Sequence, residues 1–261
     1  MSSSAKRALR ILELVSDTDH PLGVTDIARA LSLAPATVFR SLDALSRADL
    51  VSRFQSSSRY VLGAAADRLC QSLIARFRIR ELSLPYLRQL ASVSGEPTSL
   101  HVRLGWYSAR IASASGTAEV TNAPPVGDTR ILGDTYAGKA ILAFLSDAEI
   151  ARYGQWAQAL ELPGWEKRAR DLRSIRKSGV ALGMTEFGGT GMPVAFPVRV
   201  RDNAIAALTI EGPVLDRPPD LHSSPFSDWR EIVTHLEYLT HAQPALFENP
   251  FAHIDPDTIV L

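Results

Sequence analysis

Cysteine is almost absent from this sequence. Cys70 stands alone among 261 residues, so the chain can form neither a disulfide framework nor a cysteine-rich zinc site. Long apolar runs are missing as well. Stretches such as Ala140–Leu145 fall far short of the ~18 residues that a membrane-spanning helix needs. The N-terminal stretch carries Arg7, Arg10 and Glu13 inside its apolar pattern, which a secretory signal core does not tolerate. A soluble, cytoplasmic protein without membrane partners is expected. Net charge is lacking too: 28 basic side chains stand against 28 acidic ones. That excludes an overall basic coat, though not a local basic face. No Gly-x-Ser-x-Gly elbow and no His-Glu-x-x-His motif occurs, and the six histidines are scattered at 20, 101, 222, 235, 241 and 253. No enzyme, metal site or cofactor is expected from such a set. What the chain does have is 46% hydrophobic residues, enough for a core, and a length suited to one large domain or two ordinary ones.

Residues 5–16 place Ala8, Ile11, Leu12 and Val15 on one helical stripe, and Asp17–Pro21 stops that helix. Thr25 is the expected cap of a short helix ending near Leu31, and Pro35 suits the first turn of the next. Val51 lies in a β-like run, 50–54, which pairs as a hairpin with Arg59–Leu62 across Gln55–Ser58. The spacing of Leu69, Leu73 and Phe77 predicts a helix over 64–78, followed by another over 81–92. Strands are expected at 99–104 and 107–113 around Gly105-Trp106, and at 180–187, 192–200 and 204–210. Helices are expected at 134–145, capped by Asp134 or Thr135, at 166–178 and at 226–240. Residues 116–130 read as a loop or irregular strand, Gly188–Gly191 as a turn or a loop over a pocket, and the tail after 243 has no assigned role.

Residues 25–46 have the logic of a helix-turn-helix. Ile27, Leu31, Leu33, Val38, Leu42 and Leu45 converge on one small core. The outward face of the second helix offers Ala36, Thr37, Phe39, Arg40 and Asp43. Its N-terminal half is short or hydrogen-bonding, as a helix entering the major groove requires. Arg40 suits a guanine edge or a phosphate, and Phe39 or the Thr37 methyl suits a thymine methyl. Lys6, Arg7, Thr25, Arg53, Ser58 and Arg59 are candidate backbone contacts, the last two on the tip of a wing. Residues 1–62 hold eight basic and six acidic side chains, a surplus of +2 in this segment. A three-helix protein-interaction module shares the same core pattern and stays open.

Several segments together resemble one known family, the IclR-type bacterial transcriptional regulators. They are Arg7-Ala8-Leu9-Arg10-Ile11-Leu12, Ile27-Ala28-Arg29-Ala30-Leu31-Ser32-Leu33, Thr37-Val38-Phe39-Arg40-Ser41-Leu42 and Arg59-Tyr60-Val61-Leu62-Gly63. Further on come Ala137-Gly138-Lys139-Ala140, Ile175-Arg176-Lys177-Ser178-Gly179-Val180-Ala181, and Glu186 ahead of Ala195-Phe196-Pro197-Val198. The resemblance implies an α+β two-domain chain: a winged helix-turn-helix over 1–63, a linker helix over 64–80, a GAF/PAS-like α/β effector-binding domain over 81–242 and a tail over 243–261. It implies a homodimer or dimer of dimers on palindromic promoter DNA, with a small organic or aromatic acid modulating contacts to DNA or RNA polymerase. The effector positions carried over are Tyr136, Ala137, Gly183, Pro193, Thr209 and Glu211. Relatives that bind small keto-acids have a small residue where Tyr136 stands and an acid where Gly183 stands, so a different ligand is expected. A buried Glu211 would need Arg103, Arg130 or a ligand group as its partner. Tyr136, Trp106, Phe187 and Phe196 are candidate walls for an aromatic ligand, or plain core. His101 reads as a satisfied strand residue. Two further readings stay open: an enzyme using Glu186, Glu211 or His101, and a ligand-sensing scaffold that binds protein.

Overall fold

The computed structural model describes residues 3–18, 20–55, 57–75, 77–117, 125–183, 192–201, 203–211, 220–221, 224–242 and 255–258. The chain divides into two compact units, Met1–Arg76 and Phe77–Leu261.

The first unit holds α1 (Ser3–Ser16), β1 (Leu22–Gly23), α2 (Val24–Leu31), α3 (Pro35–Arg47), β2 (Val51–Arg53), β3 (Arg59–Leu62) and α4 (Ala64–Ala75). Ile11, Ile27, Val38 and Leu42 are fully buried and form its centre, joined by Val15, Leu45, Val51 and Tyr60. Each such side chain contributes about 1.5–3 kcal/mol by leaving water. Ser32 closes α2 in the left-handed conformation, and Pro35 opens α3 where its missing N–H costs nothing. The cap of α2 differs from expectation. Gly23 is the N-cap, and its N–H donates to the Asp26 carboxylate at 3.1 Å, so Thr25 is left exposed inside the first turn. β1 adds to the hairpin as an antiparallel edge, giving the order β1-β3-β2 with Leu22 opposite Tyr60 and Val51 opposite Leu62. The helix expected over 64–80 ends at Ala75, and a new one starts at Ile79. Its supposed apolar stripe splits, because Leu69 is 65% exposed while Phe77 belongs to the core of the second unit.

The second unit contains α5 (Ile79–Ser94), β4 (Thr98–Leu104), β5 (Tyr107–Ala114), β6 (Thr129–Ile131), α6 (Tyr136–Leu142), α7 (Asp147–Ala159), α8 (Trp165–Ser178), β7 (Ala181–Leu182), β8 (Val194–Val200), β9 (Asn203–Ile210) and α9 (Phe226–Ala242). Its sheet is antiparallel throughout, in the order β6-β5-β4-β9-β8-β7. Leu100, Val102, Ile111, Phe196, Val198 and Leu208 make a dry layer with Leu87 and Leu90 of α5 and Leu236 of α9. Trp106, Leu132, Ile141, Tyr153, Trp156 and Ala207 form a second core with α6, α7 and α8. α7 has no counterpart among the expected elements. It begins with a capping box in which Ser146 and Glu149 exchange side-chain-to-backbone hydrogen bonds. The strand expected over 180–187 is short, Ala181–Leu182, and 184–187 and the Gly188–Gly191 segment lie outside the described residues. α6 stops at Leu142 rather than at 145. In the tail, a 3-10 turn at Pro256–Thr258 brings Asp257 to the Trp106 indole N–H and to Arg152, which also pairs with Asp255. Those two contacts hold the Asp257 carboxyl below the usual carboxylate range although burial pushes it up.

Candidate functional site

The first candidate surface is the outer face of α3. Burial of Val38, Leu42 and Leu45 turns Ala36, Phe39 and Arg40 outward, with Thr37 half-buried at the margin. Phe39 keeps half of its surface in water, at 51% exposure. Asp43, one turn on, is taken by Arg47 at 2.5 Å, whereas Arg40 has no ion pair among the described residues. The helix therefore presents small, hydrogen-bonding, aromatic and cationic groups within two turns, a set suited to base edges. Lys6, Thr25, Arg53 and Ser58 are all exposed. Arg59 is exposed but tethered: its guanidinium donates to the Pro21 carbonyl at 2.8 Å and lies 3.4 Å from Asp26. Arg7 is half-buried, and its Nε is enclosed without a hydrogen-bond partner among the described residues.

The second candidate site lies in the other unit, where α6 meets the sheet. Thr135 caps α6 by accepting the Gly138 N–H at 2.9 Å. Gly138 is required there, since a Cβ would run into the Leu132 carbonyl oxygen. That close approach accounts for the Gly-Lys-Ala sequence, and Lys139 reaches outward to Asp171 at 3.2 Å. Tyr136 is thereby aimed at the end of β9, where its hydroxyl donates to Glu211. The Thr209 hydroxyl donates to the other Glu211 oxygen at 2.9 Å. A Cβ at Gly183 would stand 3.0 Å from the Tyr136 Cβ, so the absent side chain is what makes room for the ring. Gly183 in turn donates its N–H to the buried Pro193 carbonyl at 3.0 Å, and Ala137 is 1% exposed. The six positions carried over from the family resemblance thus gather around one ring and one carboxylate.

Glu211 does not pair as expected. Arg103 bonds Glu149 at 2.7 Å and Arg130 bonds Asp128 at 3.1 Å. The cation that reaches Glu211 is Arg110, at 3.7 Å. Trp106 and Phe196 are fully enclosed core residues, and Phe187 lies outside the described residues.

Further residues complete the site, of which the sequence reading singled out His101, Arg130 and Thr135 only in other roles and Ser108, Arg110 and Asp128 not at all. His101, Ser108, Arg110, Asp128, Arg130 and Thr135 line a narrow cavity, with room for little more than one water molecule, together with Tyr136 and Ala137. Arg110 is 2% exposed and His101 6%. His101 lies opposite Arg110 across the β4–β5 hairpin. Its Nδ1 is 3.4 Å from the Ser108 hydroxyl, while its Nε2 is buried without a partner among the described residues, so it is not the satisfied residue expected. Burial, and then the charge of Arg110, push its pKa down to about 3, which keeps the ring neutral at physiological pH. The signal was present in the sequence: a two-residue turn at Gly105-Trp106 forces 101 opposite 110, and Arg110 interrupts the apolar run Ala109–Ala112. Among the described residues, no cluster of three or more His, Cys, Asp or Glu could hold a metal ion, and no helix is long and apolar enough to cross a membrane.

Comparison with known proteins finds matches over both units of the chain. The family model for the IclR helix-turn-helix domain matches residues 4–53, and that for the bacterial transcriptional regulator IclR C-terminal domain matches 71–217. The HTH-type transcriptional regulator BhcR of Paracoccus denitrificans is 28% identical over 228 residues, 85% of this chain and 81% of its own. The HTH-type transcriptional repressor AllR of Klebsiella pneumoniae is 25% identical over 229 residues, 84% of this chain and 83% of its own. Among solved structures, an IclR homologue from Microbacterium hydrocarbonoxydans complexed with 4-hydroxybenzoate superposes with a TM-score of 0.71 at 20% identity, covering 92% of this chain and all of that one. This chain belongs to the IclR family of bacterial transcriptional regulators, with an N-terminal DNA-binding helix-turn-helix domain and a C-terminal ligand-binding domain.

Proposed function

We propose that α3 reads the major groove of a palindromic promoter site, and that a small organic acid seated under α6 alters that grip. The observation that carries the first part is the exposed row Ala36, Phe39 and Arg40, with half-buried Thr37 at its margin, on a helix whose opposite face is buried. In this reading Arg40 and Thr37 meet base edges. Lys6, Arg7, Thr25, Arg53, Ser58 and Arg59 hold phosphates, with Arg59 steadied by Pro21 and Asp26. The working unit is a homodimer or dimer of dimers in the cytoplasm, whose two heads fit half-sites one or more helical turns apart, about 34–36 Å for one turn. Residues 1–63 serve as the head, 64–80 as the connection and 81–242 as the sensor. The effector pocket comprises Tyr136, Ala137, Gly183, Pro193, Thr209 and Glu211. An effector shifts the spacing of the heads only by binding one arrangement more tightly than the other. The readout is occupancy of the promoter or contact with RNA polymerase. Support for an aromatic acid comes from the homologue complexed with 4-hydroxybenzoate and from the Tyr136 ring beside the cavity.

The test is binding of the full chain to its own upstream intergenic DNA across a salt series. A specific dimer loses affinity steeply as salt rises. Arg40→Ala should cost about 1–3 kcal/mol of discrimination at one base position, and Arg59→Ala should weaken all sequences alike. Equal affinity for native and scrambled DNA at every salt concentration refutes the reading.

A further inference from the structure

Trp106 is fully buried, with the Arg103 guanidinium 4.7 Å from its ring centroid, and a buried indole N–H needs an acceptor. The acceptor comes from the far end of the chain, beyond the residues 71–217 matched by the family model of the C-terminal domain. Asp257 takes the indole N–H on one carboxylate oxygen at 2.5 Å. Its other oxygen accepts Arg152 Nε of α7 at 2.7 Å and lies 2.6 Å from Nη2 of the same guanidinium. That Nη2 also pairs with Asp255. Asp257 thus bridges α7 and the β4–β5 turn. The segment is shaped for this in advance. The proline ring fixes φ at Pro256, and the Asp255 carboxylate accepts the Asp257 backbone N–H at 3.2 Å, closing the turn.

We propose that Arg152 and the Trp106 indole form a docking notch for a two-aspartate segment, and that the chain's own residues 255–257 fill it as a releasable strap. Asp257 supplies the indole acceptor and Asp255 the second partner of Arg152, so the notch reads carboxylates at i and i+2. All three charged side chains stay partly exposed. Ion pairs of that kind are individually weak and are screened by salt, so the strap is held by contacts that open readily. It closes on a supporting residue. The Trp106 carbonyl accepts the Leu132 N–H at 2.8 Å, and the Leu132 carbonyl is the surface against which Gly138 of α6 packs. A strap that comes and goes therefore acts on the support of α6 from outside that helix. The tether is short: residues 243–254 join the strap to the end of α9.

The experiment uses the full chain labelled with 15N-tryptophan. The Trp106 indole resonance reports the notch, and those of Trp165 and Trp229 report that the fold is intact. Replacing both aspartates, Asp255→Ala with Asp257→Ala, should move the Trp106 signal and leave the other two in place. A synthetic peptide of residues 251–261 should then return it to its wild-type position at about millimolar concentration, because a short tether supplies an effective concentration of that order. The same peptide carrying both alanines should do nothing. Arg152→Met added to the double variant should weaken the acidic peptide by about tenfold or more. In wild type, raising salt from about 0.05 to 1 M should move the Trp106 signal alone. A signal that the double variant leaves unmoved, an alanine peptide that works as well as the acidic one, or a notch that millimolar peptide does not fill overturns the strap. If the double variant fails to fold, wild type decides: a Trp106 signal that moves with salt while Trp165 and Trp229 stay supports the strap, and one indifferent to salt overturns it.

Discussion

His101 makes the stability of the second unit depend on pH in a defined direction. Its pKa is pushed from 6.5 down to about 3, first by burial and then by the Arg110 charge. Well above pH 6.5 the ring is neutral in both folded and unfolded chains and contributes nothing to the pH slope. Below that value the unfolded chain takes up a proton that the native chain refuses, so the unfolded state is favoured increasingly as pH falls. One pKa unit corresponds to about 1.4 kcal/mol, so descent from pH 6.5 to about 5 removes roughly 2 kcal/mol. That is a large fraction of the ~5–15 kcal/mol that holds an ordinary domain together. The assay is guanidinium unfolding of the full chain at several pH values between about 7.5 and 5, followed by tryptophan fluorescence and compared with His101→Asn. All four tryptophans, at 106, 156, 165 and 229, belong to the second unit, so the signal isolates it from the DNA-reading head. The wild type should lose stability more steeply than the variant below pH 6.5, and the two slopes should converge as pH rises toward about 7.5. Identical slopes throughout would refute the reasoning. So would an NMR titration of native His101 with a midpoint above about 5.5, a readout that needs no variant.

Other perturbations separate the two units further. Leu42→Ala empties a fully buried site in the first unit and should cost about 2–5 kcal/mol, measured as early loss of DNA binding on heating with the tryptophan transition unmoved. Gly138→Ala drives a methyl into the Leu132 carbonyl, and backbone cannot yield as a side chain does. The expected penalty is about 1–3 kcal/mol in the tryptophan-detected transition. Asp257→Ala removes the acceptor of the Trp106 indole N–H, so hydrogen exchange at that indole should quicken relative to wild type. Unchanged exchange would mean that Asp255 on Arg152 is enough to hold the turn in place.

The exposed face of α3 was legible because Val38, Leu42 and Leu45 recur at helical spacing and leave only one side for Ala36, Phe39 and Arg40. Gly138 was legible as a motif, but its reason, contact with the Leu132 carbonyl, exists only in three dimensions. α7 escaped notice because its buried residues Tyr153, Gly154, Trp156 and Ala157 sit among Arg, Gln and Glu, and its one clear signal is the Ser146–Glu149 capping box. β1, two residues long, is too short for any periodicity to register. The α2 cap was misplaced because hydroxyl-bearing Thr25 is a stronger capping type than glycine, yet the Asp26 carboxylate satisfies the Gly23 N–H from within the helix. The pocket was half visible. Tyr136 and Glu211 could be marked by position, but not that Arg110 would be the cation between the strands. Arg110 and His101 sit where alternation allows burial, and composition gives no warning that charged and titratable groups will fill such places.

The fit of the Tyr136 ring into the vacancy at Gly183 ties two positions 47 residues apart to a common fate. Neither can grow alone. A descendant that acquired an acid at 183 would have to trade its tyrosine for something small, and with it the phenol that steadies Glu211. Changing what such a sensor tastes is thus a two-step exchange in a fixed order, the tyrosine giving way before 183 gains a side chain.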